Sequence, residues 1–202
     1  MKLIVISHPS WIEDENEVVR ILFENGLEYF HLRKPDVTMD TYRMFLEKIN
    51  PDFHKHIIIH NHFELISEYK IKGIHLNSKA KTILPMISKH CSRSCHSFNE
   101  IIENKAFYDY LFLSPVFNSI SKQNYQGVFH FKDLEQASEK HIIDQKVIAL
   151  GGIDVTKVKQ VIEWKFGGIA VLGFLWEDYA LSKDVHRLLS NFKLLQQAIK
   201  NQ

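Results

Sequence analysis

The groups in this 202-residue chain that could do chemistry fall into three sets: paired glycines, a hydroxyl-rich segment with one lysine, and twelve histidines. Leu150-Gly151-Gly152-Ile153 and Val171-Leu172-Gly173 each close a short apolar run. Glycine lets backbone N–H groups approach an anion closely, and a helix N-terminus adds a favourable dipole. Gly151, Gly152, Leu172 and Gly173 are therefore expected to cradle a phosphate. In the segment 114–127, Ser119, Ser121 and Lys122 bring two hydroxyls and a cation within four residues. Such donors suit a second phosphate or a pyrophosphate. Arg33 is a candidate clamp for an anionic substrate.

The elements that must position these groups can be read from alternating patterns. Short apolar runs are expected as strands: Leu3–Ser7, Glu28–Leu32, His56–His60, Gly73–Leu76, Cys91–Ser94, Tyr110–Leu113, Lys146–Leu150 and Gly168–Val171. Segments of helical period lie between and after them: Glu17–Glu24, Thr41–Ile49, Phe63–Tyr69, Ile83–Lys89, Phe98–Lys105, Lys132–Glu139, Val155–Trp164 and Leu181–Ile199. Asn25-Gly26 stops the first helix, and Ser97 with Glu100 three residues on forms a capping-box pattern. Strands each followed by a helix imply parallel pairing with right-handed crossovers. Eight such units favour closure into an α/β fold, a single (β/α)8 TIM barrel spanning residues 1–202, over an open doubly wound sheet. In such barrels the loops after strands seven and eight frequently hold phosphate, and both glycine signals fall there.

Composition limits the partners. The net charge is +1 with acids and bases interleaved, which argues against nucleic acid or an anionic membrane surface. No stretch approaches the ~20 apolar residues needed to span a bilayer, and no secretory leader is expected. Cys91 and Cys95 are too few for a disulfide framework and read as reduced thiols in a cytoplasmic protein.

The ordered pieces His31-Leu32-Arg33, Ile58-Ile59-His60-Asn61, Gly73-Ile74-His75-Leu76, Ser94-Cys95-His96-Ser97, Ser114-Pro115-Val116-Phe117, Ala149-Leu150-Gly151-Gly152-Ile153 and Gly168-Ile169-Ala170-Val171 resemble the thiamin phosphate synthase and thiazole tautomerase (TenI) superfamily. The resemblance implies a barrel enzyme of thiamin biosynthesis that binds a thiazole phosphate at its last two loops. It further implies that Ser119, Ser121 and Lys122 help hold pyrophosphate or thiazole phosphate. The departures bear on which reaction is run. The synthase pattern Gln-x-Arg-x-Lys after strand two is His31, Arg33 and Pro35 here. The Asn-Asp after strand three is His60-Asn61, and the second metal-binding aspartate position is Ala80. Magnesium prefers hard oxygen ligands, usually a carboxylate or two, so both losses weaken a magnesium–pyrophosphate site.

The tautomerase branch lacks that carboxylate pair and uses a histidine after strand five, which His96 matches. An imidazole near neutral pKa can take a proton from one ring carbon and return one to another, aromatising a dihydrothiazole. The leading expectation is thus a tautomerase without metal or redox cofactor, with His96 and Arg33 catalytic and His31, His60 and Asn61 as further substrate contacts. The alternatives are the synthase, a transferase that would use magnesium and release pyrophosphate, and a non-catalytic thiazole-phosphate binder. A homodimer is compatible with each. His60, His75 and His96 end three successive strands and could offer zinc three imidazoles, but His75 matches a buried position of the family and reads as a core imidazole. His54, His56, His130, His141 and His186 read as surface residues, and Trp164 and Phe166 as core.

Overall fold

The computed structural model describes residues 1–80, 90–117 and 129–200. Its centre is a closed ring of eight parallel strands in sequence order: β1 (Lys2–Ile6), β2 (Tyr29–Leu32), β3 (Ile57–Ile59), β4 (Gly73–Leu76), β5 (Cys91–Cys95), β6 (Tyr110–Leu113), β7 (Val147–Leu150) and β8 (Gly168–Val171). Closure is explicit in the register, since Lys2, Leu3, Ile4 and Val5 pair with Gly168, Ile169, Ala170 and Val171. The expected (β/α)8 barrel is the observed fold. The helices are α1 (Glu15–Glu24), α2 (Met39–Glu47), α3 (Phe98–Asn104), α4 (Phe131–Glu139), α5 (Val158–Glu163), α6 (Gly173–Ser182) and α7 (Val185–Lys200). Among the described residues, no helix is long and apolar enough to cross a membrane.

Because strand side chains alternate in direction, each strand feeds two cores. One set packs outward against the helices and includes Val5, Phe30, Ile57, Ile59, Leu111 and Ile169. The other fills the barrel: Ile4, Ile6, Ile58, Tyr110, Phe112, Ile148 and Ala170. Barrel interiors are built in layers from alternate strands. Here His31 of β2, His75 of β4 and Phe112 of β6 form part of one layer, with ring centroids 4.6 to 5.2 Å apart. Trp164 and Phe166 are buried in the outer core, as expected.

Several local expectations change. Phe63–Ser67 is a 3₁₀ turn, and another 3₁₀ turn, Pro51–His56, precedes β3. The closing helix expected over Leu181–Ile199 is α7, starting at Val185, and a further helix, α6, precedes it, the two separated by Lys183 in a left-handed conformation (φ 56°). His54 is a correction: it is buried, and its Nε2 bonds the Leu46 carbonyl at 3.0 Å, closing the end of α2. His130, His141 and His186 are exposed, and His56 is half-buried. The helix expected over Ile83–Lys89 lies outside the described residues.

Candidate active site at the C-terminal mouth of the barrel

At the end of β7 the chain turns through Gly151 (φ 103°) and Gly152 (φ 62°), conformations that L side chains rarely adopt. A Cβ on Gly151 would also lie 2.9 Å from the Pro115 Cα. The β6 loop is stitched to this turn, Val116 N–H donating to the Leu150 carbonyl (2.9 Å) and Phe117 N–H to the Gly151 carbonyl (3.2 Å). After β8, Leu172 is the N-cap residue of α6 and Gly173 its first residue. These segments enclose a cavity of about 210 Å³ whose lining includes Gly151, Gly152, Leu172, Gly173 and Glu177. The four expected cradle residues therefore meet in one place, at a helix N-terminus. Sequence reading missed Glu177, whose Oε1 lies 2.6 Å from where a Gly173 Cβ would stand. Its spacing of four from Gly173 was the available signal, since i and i+4 share a helix face. The side chain is exposed, so its carboxylate end is free to move.

The capping box expected at α3 forms in part, with the Ser97 cap made and the Glu100 carboxylate reaching the residue before the cap. The Ser97 side chain accepts from Glu100 N–H, and the Glu100 carboxylate accepts from His96 N–H at 2.7 Å. His96 Nδ1 lies 2.8 Å from the Ser114 carbonyl. A carbonyl only accepts, so Nδ1 carries the proton and Nε2 is left as the basic nitrogen. His96 lines a separate cavity of about 440 Å³ with Phe98, Phe129 and Asp133, between α3 and α4. Ser119, Ser121 and Lys122 lie outside the described residues.

Arg33 is exposed just past β2, and its backbone N–H and carbonyl are both bonded by the Ser7 hydroxyl, at 2.8 and 3.0 Å. Its charge helps depress the pKa values of His60 and His75, so the guanidinium lies within electrostatic reach of both imidazoles. The neighbouring Lys34 points inward. Its Nζ bonds the His8 and Ser10 carbonyls, at 2.7 and 2.9 Å, and pairs with the buried Glu15 carboxylate. Lys34 therefore cannot replace the mouth lysine absent at Pro35.

Three imidazoles converge inside the barrel, but the third is not the one expected. His60 and His75 stack with centroids 4.4 Å apart, and His31 joins them from β2 while His96 stays on its outer loop. His31 Nδ1 is 2.8 Å from His60 Nε2, and His31 Nε2 is 2.5 Å from the Tyr110 hydroxyl. His75 Nδ1 and Nε2 each lie 2.8 Å from a hydroxyl, of Ser92 and Ser94. Burial is the main cause lowering all three pKa values. His75 and His90 add to it for His31; His75, His31 and Arg33 add to it for His60. His75 falls to about 3, with Arg33, His90 and Arg93 contributing after burial. The cluster is uncharged at neutral pH. His31 is fully buried and bonded at both ring nitrogens, whereas His60 and Asn61 are half-exposed toward the mouth.

Magnesium does not fit the residues present. Asn61 offers an amide oxygen, Ala80 offers no side-chain donor, and the imidazoles offer nitrogen where magnesium wants oxygen. The segment at Ala80 is pinned from below, since Arg93 donates to the Ala80 and Ser78 carbonyls at 2.9 and 2.8 Å.

Residues 3–175 match the family described as thiamine monophosphate synthase. A thiamine-phosphate synthase of Flavobacterium johnsoniae is 25% identical over 189 residues, covering 87% of this chain and 89% of that protein. One of Lysinibacillus sphaericus is 26% identical over 183 residues, covering 84% and 83%. Among solved structures, a thiamine phosphate pyrophosphorylase of Bacteroides thetaiotaomicron superposes with a TM-score of 0.88 at 36% identity, over 99% of this chain and 98% of that one.

Proposed function

The chain belongs to the thiamine monophosphate synthase family, and on that premise we propose that it holds a thiazole phosphate at its mouth and joins it to the pyrophosphate-activated pyrimidine half of thiamin. The thiazole ring nitrogen attacks the activated carbon, the carbon–oxygen bond to pyrophosphate breaks, and pyrophosphate leaves. The observation that carries this reading is the meeting of Gly151, Gly152, Leu172 and Gly173 at the N-terminus of α6, a built anion cradle at the end of the barrel where such enzymes work. In this reading the cradle fixes the thiazole phosphate. Arg33, the exposed cation after β2, faces the leaving pyrophosphate, to which a planar guanidinium can donate two parallel bonds.

Sequence reading put the tautomerase first. The order is reversed here because the similar proteins are named synthases and a pyrophosphorylase. The tautomerase remains a second reading on two observations: positions 61 and 80 carry no carboxylate, and His96 presents a basic Nε2. One assay separates the readings. The transferase releases pyrophosphate when both halves of thiamin are supplied. The tautomerase aromatises a carboxylated dihydrothiazole phosphate by itself, followed by ultraviolet absorbance. A binder changes neither.

A further inference from the structure

We propose that His31, His60 and His75 form a three-imidazole site for a zinc-class divalent cation, inside the barrel and just below its mouth. One ring nitrogen from each residue lies within 4.8 Å of the others, the one such group of three among the described residues. Tetrahedral zinc with bonds of about 2.0–2.1 Å sets its ligand nitrogens about 3.3 Å apart. The 2.8 Å between His31 Nδ1 and His60 Nε2 must open slightly and His75 must turn inward, movements within reach of side-chain torsions. His31 and His75 lie on β2 and β4, and His60 is the first residue past β3, its backbone N–H tied to the Leu32 carbonyl of β2 at 3.2 Å, so the sheet fixes their spacing.

The surroundings match what a histidine-bound metal requires. A ligating imidazole usually donates its other N–H to an oxygen, which orients the ring and fixes its tautomer. His31 has the Tyr110 hydroxyl at its far nitrogen, and His75 has Ser92 and Ser94 to choose between. Nitrogen donors favour zinc, cobalt or nickel over magnesium. Three protein ligands leave a fourth position for water or a substrate oxygen, the open arrangement of catalytic rather than structural zinc. The half-exposed His60 puts that position on the mouth side. Arg33 opposes a bare cation there and favours one already carrying an anionic ligand.

The test uses the full chain, stripped with a chelator and titrated with cobalt or zinc alone. The expected result is one cobalt per chain, with the visible absorption of a four-coordinate, nitrogen-rich site, displaced by zinc and not by magnesium. His31→Gln, His60→Gln and His75→Gln should each weaken zinc by more than ~100-fold, and Tyr110→Phe or Ser94→Ala by about 10–100-fold, the range for outer partners. The outer-partner variants keep the test decisive if a buried histidine variant fails to fold. Absence of stoichiometric binding by the wild-type chain overturns the proposal. So does binding that survives unchanged in these variants, which would assign the metal to surface histidines. No substrate is used, so this proposal and the transferase reading can fail separately.

Discussion

The buried pair Lys34–Glu15 makes a prediction whose size follows from its surroundings. The two side chains are 0% and 1% exposed, and Lys34 Nζ also holds the carbonyls of His8 and Ser10. Lys34→Met keeps the stem's bulk but removes the charge, leaving the Glu15 carboxylate alone in the core. Burial already raises the Glu15 pKa above its ordinary 4.5, opposed mainly by Lys34. Without Lys34 the carboxyl takes up a proton on folding. At pH 7 that costs about 2.5 pH units at 1.36 kcal/mol each, or about 3.4 kcal/mol. This agrees with the ~3–5 kcal/mol typical for breaking a buried pair from one side. The sign with pH follows: a folded pKa above the unfolded value gives stability that is present below about pH 4.5 and lost as pH rises. Urea unfolding should therefore show the variant's deficit shrinking by about 2.7 kcal/mol between pH 7 and pH 5. Glu15→Leu combined with Lys34→Met should recover most of the loss, since apolar replacement of a buried pair is often neutral. A deficit under ~1 kcal/mol at pH 7, or equal deficits at the two pH values, would refute the reasoning.

Other consequences can be checked at the mouth. Gly173→Leu should weaken inorganic phosphate or thiazole phosphate binding at least ~10-fold while moving the urea midpoint little, because the side chain meets the flexible end of Glu177 rather than backbone; calorimetry showing equal affinity removes the cradle. Glu177→Gln should tighten phosphate binding a few-fold at low salt, with the gain fading as salt is added, and an unchanged affinity means the carboxylate does not face the anion. Where aromatisation is observed, His96→Ala should lower kcat by at least ~10²-fold, the scale for a lost acid or base, with phosphate affinity intact. A His96→Gln variant that turns over normally would dismiss His96 as the proton carrier.

The barrel was legible because most of its strands are apolar runs separated by helical periods, and neither depends on distant contacts; β5, Cys-Ser-Arg-Ser-Cys, is the polar exception. The meeting of Gly151, Gly152 and Gly173 around one cavity was legible for the same reason, since they sit at the ends of such runs. The helix α6 was missed: Phe174, Leu175 and Trp176 follow one another without an amphipathic stripe, and Gly173 read as loop. The imidazole cluster was half legible. His60 directly follows Ile59, which pairs with Ile74 just before His75, but their partnership with His31 depends on which face of β2 turns inward. His96 continues the inward alternation of Ser92 and Ser94, yet β5 ends at Cys95 and the Ser97 cap turns the chain away. The Lys34–Glu15 pair joins the segment after β2 to the first residue of α1 and left no local pattern. Its effect on the site is indirect, tethering the loop after β1 beside Arg33.

The transferase reading stands or falls on one incubation. The chain is mixed with a thiazole phosphate and the pyrophosphate-activated pyrimidine half of thiamin, and both products are followed. The account predicts pyrophosphate and thiamin phosphate appearing in equal amounts, with both lost together when Gly173→Leu disables the cradle. No pyrophosphate release, with the thiazole phosphate bound but unchanged or only aromatised, would contradict it.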